Sequence, residues 1–134
     1  MTTVTFEAGS TLTNIGDAFL NATSLTSIEI PNTVTRIGSY TFYNTTSLTS
    51  VTFEADSSVT TIGVWAFFQS GLTSIEIPNS VTSIGQQAFY KTSSLTTVTF
   101  EARSTLATIG DSAFQYSGLT SIEIPNSEIG RAHV

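Results

Sequence analysis

The pair Ile-Gly recurs at residues 15, 37, 62, 84 and 109, with gaps that alternate between 22 and 25 residues. A fixed internal period constrains a fold more than any local propensity, because every copy must take one shape and fit its neighbours. The true period is a 47-residue double repeat. Aligned on a leading Leu, the units read LTSIEIPNTVTRIGSYTFYNTTS from residue 25, LTSVTFEADSSVTTIGVWAFFQSG from 48, LTSIEIPNSVTSIGQQAFYKTSS from 72 and LTTVTFEARSTLATIGDSAFQYSG from 95. A first unit runs from Met1 to Ser24 and a sixth begins at Leu119. The long form carries two extra residues before its second apolar stretch, FEADSSV against IPNTV, and drops one after the Phe.

Each unit follows one physical plan. In LTSIEI the alternation predicts a half-buried strand, with Ile28 and Ile30 inward and Ser27 and Glu29 outward. Pro31, Pro78 and Pro125 follow the strand in the short units, where a missing N–H ends the ladder. VTRIG and its equivalents predict a second short extended piece that buries Val34 and Ile37. The glycine after that Ile implies a positive-φ turn or a close backbone approach. Tyr-Thr-Phe, Trp-Ala-Phe, Gln-Ala-Phe and Ser-Ala-Phe then predict about one turn of helix, capped by Asp17, Ser39 or Asp111, with Phe42, Phe67, Phe89 and Phe114 as a buried column.

No single unit of 23 or 24 residues can cover its own apolar surface. The units must therefore stack into a solenoid whose strands pair in parallel about 4.8 Å apart, and such an array needs capping at its ends. The composition agrees with a folded chain of 134 residues, 40% hydrophobic and 10% charged. Its net charge of −6 argues against nucleic acid and anionic membranes as partners, since both need clustered Lys and Arg. No apolar run reaches the length of a membrane span, and MTTVTFEAGS has no signal-peptide character.

The pattern carried by LTSIEIPNSVTSIGQQAFYKTSS resembles the BspA-like leucine-rich repeats of microbial surface proteins, over residues 1 to about 127. The resemblance implies a β-rich α/β leucine-rich-repeat solenoid with a parallel β-sheet on its concave face and short helical turns elsewhere. It further implies a non-enzymatic binding or adhesion module, outside the cell or at its surface, with a protein or glycan surface as partner and no cofactor. Members of this family often carry Cys shortly after the Phe, where this chain has Thr45, Thr92 and Ser117, so hydroxyl packing replaces that column.

The candidate binding residues lie on the outward strand positions. One column holds Ser27, Ser50, Ser74, Thr97 and Ser121; the other holds Glu29, Thr52, Glu76, Thr99 and Glu123. The plainer reading of the same residues is that Thr and Ser suit an exposed strand and Glu keeps it soluble. Successive Glu residues two strands apart stand too far from one another to share a calcium ion, and no metal site is expected. Two other functions compete with recognition: end-to-end stacking of solenoid faces, and ice binding by a Thr/Ser grid, which the alternating Glu would interrupt. Tyr40, Tyr43, Trp65, Phe68, Tyr90 and Tyr116 flank the Phe column and are expected to pack over the next unit's turn. Catalysis lacks a Cys and lacks a base held beside any Ser.

Residues 128–134, EIGRAHV, break the period: Ile129-Gly130 falls two residues early and no Phe follows. The segment back-translates to GAG ATC GGA AGA GCA CAC GTC, which looks like a sequencing adapter. The domain is accordingly expected to be residues 1–127, with 128–134 a gene-model artefact, and Arg131 and His133 are assigned no role.

Overall fold

The computed structural model describes residues 3–125. The anomalous 128–134 segment, with Arg131 and His133, lies outside them. Nine short strands follow in order: β1 (Thr3–Val4), β2 (Ser27–Ile30), β3 (Arg36–Ile37), β4 (Ser50–Phe53), β5 (Thr61–Ile62), β6 (Ser74–Ile77), β7 (Ser83–Ile84), β8 (Thr97–Phe100) and β9 (Thr108–Ile109). Every pairing is parallel and joins successive units, as a stacked solenoid requires. The second strands of the units form one unbroken sheet, β3-β5-β7-β9. The first strands form β1-β2-β4 and β6-β8, with β4 and β6 side by side but outside a regular ladder.

The alternating inward residues build the core. Ile28, Ile30, Val34, Ile37 and Phe42 of one unit are buried, as are Val51, Val59, Ile62 and Phe67 of the next. Phe19, Phe42, Phe67, Phe89 and Phe114 stack in a continuous column, with ring centroids 5.4, 5.1, 5.0 and 5.1 Å apart and planes within 12° of parallel. Those separations lie close to the spacing of the strands, so each ring occupies one rung. The expected Phe column is therefore present, and it includes Phe19.

The expected helical turns are absent: the described residues contain no helix. Left-handed residues interrupt the segment after each Ile-Gly, at Tyr40 and Asn44, Trp65 and Gln69, Gln87 and Lys91, and Ser112 and Tyr116. An L-residue in that conformation costs about 1–2 kcal/mol, and a helix cannot continue through it. What offsets the cost is a third ladder between units. Phe42 N–H donates to Ala66 O at 2.7 Å and Asn44 N–H to Phe68 O at 2.7 Å, while Tyr43 N–H closes a local turn on Tyr40 O at 3.1 Å. Alternate donors thus serve the neighbouring unit and the unit's own turn, where a helix would use every donor internally. Asp17, Ser39 and Asp111 accordingly have no helix to cap.

The hydroxyl column after the Phe is real. Thr45 and Thr92 are buried, and their Oγ1 atoms donate to Phe42 O at 2.7 Å and Phe89 O at 2.6 Å. Ser70 is buried in the same column, yet its Oγ has no hydrogen-bond partner. Gly71, which follows it, shows why the long units end in glycine. A Cβ there would stand 2.4 Å from Thr46 O, in backbone that cannot yield cheaply. Gly71→Ala is expected to cost about 1–3 kcal/mol through this overpacking, read by urea unfolding. Ser70→Ala removes an unsatisfied hydroxyl and is expected to leave stability unchanged or raise it, whereas Thr45→Ala loses about 1 kcal/mol in the same assay.

Candidate functional site

The outward strand positions form the two expected columns. Ser27 pairs in register with Ser50 and Glu29 with Thr52; Ser74 pairs with Thr97 and Glu76 with Thr99. Glu29, Ser50, Thr52, Ser74, Glu76, Thr97 and Thr99 are exposed, and Ser27 is half-buried. Ser121 and Glu123 are exposed as well but lie beyond the last strand.

The sheet carrying these columns is not uniform, and proline explains why. From a short unit to the following long one, four residue pairs align in full, and the ladder closes with Glu54 N–H donating to Ile30 O and Glu101 N–H to Ile77 O, both at 3.0 Å. In the opposite step, from long to short, the residue aligned with Glu54 is Pro31 or Pro78, which has no N–H to donate. Pairing there shrinks to Thr3↔Ser27 and Val4↔Ile28 at the first such step and is not a regular ladder between β4 and β6. Equivalent bonds at the strand entrance follow suit: Thr49 N–H reaches Thr26 O and Thr96 N–H reaches Thr73 O at 3.0 Å, but Thr73 N–H reaches Thr49 O at 3.4 Å.

Side chains reinforce the same alternation. The Glu54 carboxylate accepts from Asn32 N–H at 2.7 Å, and Glu101 accepts from Asn79 N–H at 2.8 Å. The amides of Asn32 and Asn79 donate in turn to Ala55 O at 3.3 Å and Ala102 O at 3.1 Å. Each short unit is thereby clamped to the long unit after it, and the longer corners, turned by left-handed Asp56 and Arg103, belong to the long units alone.

A recess opens over each short unit. One of about 270 Å³ is lined by Thr52, Glu54, Glu76, Pro78 and Glu101. Another of about 240 Å³ is lined by Thr5, Glu7, Glu29, Pro31 and Glu54. A wider one of about 800 Å³ is lined by Thr99, Glu101, Arg103, Glu123 and Pro125. In every case the proline and one acid, Glu29, Glu76 or Glu123, belong to the short unit; the recesses at Pro31 and Pro78 are flanked on both sides by acids of the long corners, Glu7 with Glu54 and Glu54 with Glu101, and the one at Pro125 by Glu101. The outward columns were expected from strand alternation; the recesses and the walls built from Glu7, Glu54 and Glu101 were not. Their signal in the sequence is the long-short alternation of IPN with FEA.

The aromatic flank lies elsewhere on the solenoid. Tyr43 stacks on Phe68 at 4.8 Å and Phe68 on Tyr90 at 5.5 Å, Trp65 meets Tyr40 edge-on at 5.5 Å, and Trp65 Nε1 donates to Gln87 Oε1 at 2.6 Å. These rings pack across unit boundaries as expected, although Tyr116 remains 62% exposed. Among the described residues, no group of three or more His, Cys, Asp or Glu is placed to hold a metal ion, and no helix is long and apolar enough to cross a membrane.

Residues 6–132 match the BspA type leucine rich repeat region in six copies. The chain belongs to this family. A crystal structure of a leucine rich cell surface protein from Faecalibacterium prausnitzii is 34% identical over 96% of this chain, with a TM-score of 0.59. The pneumococcal vaccine antigen PcpA shares the fold over 78% of the chain, at 23% identity and a TM-score of 0.67. This chain spans 41% and 31% of those two structures. No curated protein sequence matches it, and no enzymatic family is among the matches. Within this BspA-type solenoid, Glu54→Ala is expected to lower stability by about 1 kcal/mol through loss of the Asn32 clamp, and Glu101→Ala to do the same, measured by thermal unfolding.

Proposed function

We propose that the chain is a non-enzymatic binding module that recognises a protein surface, or a glycan surface, through the outward face of its first sheet. The observation that carries this reading is the combination, on one face, of two in-register polar columns with recesses that recur every second unit. A repeat array offers a partner the same chemistry at several points, so many weak contacts add along its length. The membership in a leucine-rich-repeat family, together with the similarity to a cell surface protein, supports a place outside the cell or at its surface, as part of a longer array, and adhesion is the use proposed there. The recesses disfavour ice binding, because a lattice-matching surface needs an even grid and the regular pairing of this sheet breaks between β4 and β6.

The test is a screen of the purified chain against arrays of extracellular proteins and glycans. Retained hits are expected to be lost in Thr52→Lys and Thr99→Lys, which crowd the outward face, and kept in Arg36→Glu, which alters the second sheet. Hits that survive both lysine variants, or no hit above background, contradict the reading.

A further inference from the structure

We infer that the recessed face takes a cationic polyproline II segment of a partner protein, with a Lys or Arg at every third residue. This rests on the reading above that the outward face is the binding face, and it specifies the partner's chemistry. The first argument is charge. Glu29, Glu76 and Glu123 are exposed, and each lines a recess together with the Thr of the preceding strand, Thr5, Thr52 or Thr99. Glu54 and Glu101 are clamped to Asn32 and Asn79 through one oxygen, which leaves the other oxygen of each carboxylate able to accept from an incoming donor. Of the basic residues in the described chain, Arg36 sits in the second sheet and Lys91 lies over the Tyr90 ring, so Arg103 is the one that reaches a recess.

The second argument is spacing. Recesses recur every two units, about 9.6 Å apart on ordinary strand spacing. A polyproline II helix has three residues per turn and a rise of about 3.1 Å, so side chains at i, i+3 and i+6 share one face at intervals of about 9.3 Å. Other backbones fit worse. An extended strand presents one face every two residues, about 6.7 Å apart, and its third residue points away. An α-helix returns to the same face after seven residues, about 10.5 Å along its axis, and drifts out of register within two recesses. A polyproline II ligand is also preformed, so little ordering entropy opposes docking along a shallow face.

The third argument is shape. The recesses at Pro31 and Pro78 are each lined by that proline and by residues of the long corners on both sides, giving a cationic side chain an apolar surface for its stem and carboxylates for its head. Salt should weaken the contact, since Glu29, Glu76 and Glu123 are exposed.

The experiment titrates the intact chain with four synthetic peptides of equal length: repeated Pro-Pro-Lys, repeated Pro-Pro-Arg, a proline-rich peptide with the same number of lysines at every fourth residue, and neutral Pro-Pro-Gln. Calorimetry at low salt is expected to show the two triplet cationic peptides binding at least about tenfold tighter than the four-residue period. Glu29→Gln and Glu76→Gln, both exposed and outside the Asn clamps, should each weaken Pro-Pro-Lys by about threefold or more, and Arg103→Gln should strengthen it. Equal affinity for the three- and four-residue periods would overturn the inference, as would binding that the Glu variants leave unmoved. The broader reading fails separately: an array partner lost on Thr52→Lys and Thr99→Lys but not displaced by Pro-Pro-Lys removes this inference and keeps the binding face, whereas a partner unaffected by both lysine variants removes both.

Discussion

Backbone hydrogen bonding between successive turns is the constraint on which this solenoid depends. A unit of two short strands and a bent connection cannot satisfy its own polar backbone, and an unpaired buried N–H or C=O costs as much as a lost hydrogen bond. Three ladders answer that demand: the broken sheet of first strands, the unbroken sheet of second strands and the alternate donors of the left-handed segment. The left-handed residues Tyr40, Trp65 and Gln87 fit that demand, as their N–H groups donate to Val64 O, Gln86 O and Asp111 O of the next unit. Packing then fills the prism so defined, with one Phe ring per rung and one buried hydroxyl beside it.

Proline edits this scheme at every second junction. By withholding one donor, Pro31 and Pro78 loosen the first sheet ahead of each short unit, while Glu54 with Asn32 and Glu101 with Asn79 tighten it behind. The structural module is therefore a short unit followed by a long one, residues 25–71 and 72–118, matching the period of the sequence. The same asymmetry that loosens the sheet creates the recesses, because long corners project on both sides of a short one. The residues that loosen and tighten the first sheet also line the recesses.

Much of this was legible in the sequence, and what was not has a physical reason. Period-2 alternation in SIEI and SVTF placed the strands and their two faces, and the 47-residue period gave the stacking and the likeness to BspA-type repeats. The turns after Ile-Gly were misread as helical because Tyr40, Trp65 and Gln87 are not residues that mark left-handed backbone. The conformation there is imposed by bonds to the next unit, which a local reading does not contain. The recesses escaped for a similar reason: IPN and FEA each look like an ordinary loop until Glu54 is placed beside Asn32 and Pro78 between Glu54 and Glu101.

The account rests on alternate junctions differing in strength, and native-state hydrogen exchange measures that most directly. Thr49, Thr73 and Thr96 occupy the same position in successive units, carry the same side chain and donate across the junction before them, at 3.0, 3.4 and 3.0 Å. Their amides differ chiefly in which kind of junction they close. The Thr73 amide should exchange about tenfold or more faster than those of Thr49 and Thr96, reporting an easier opening between β4 and β6. Equal protection at the three positions, or slower exchange at Thr73, would contradict the account.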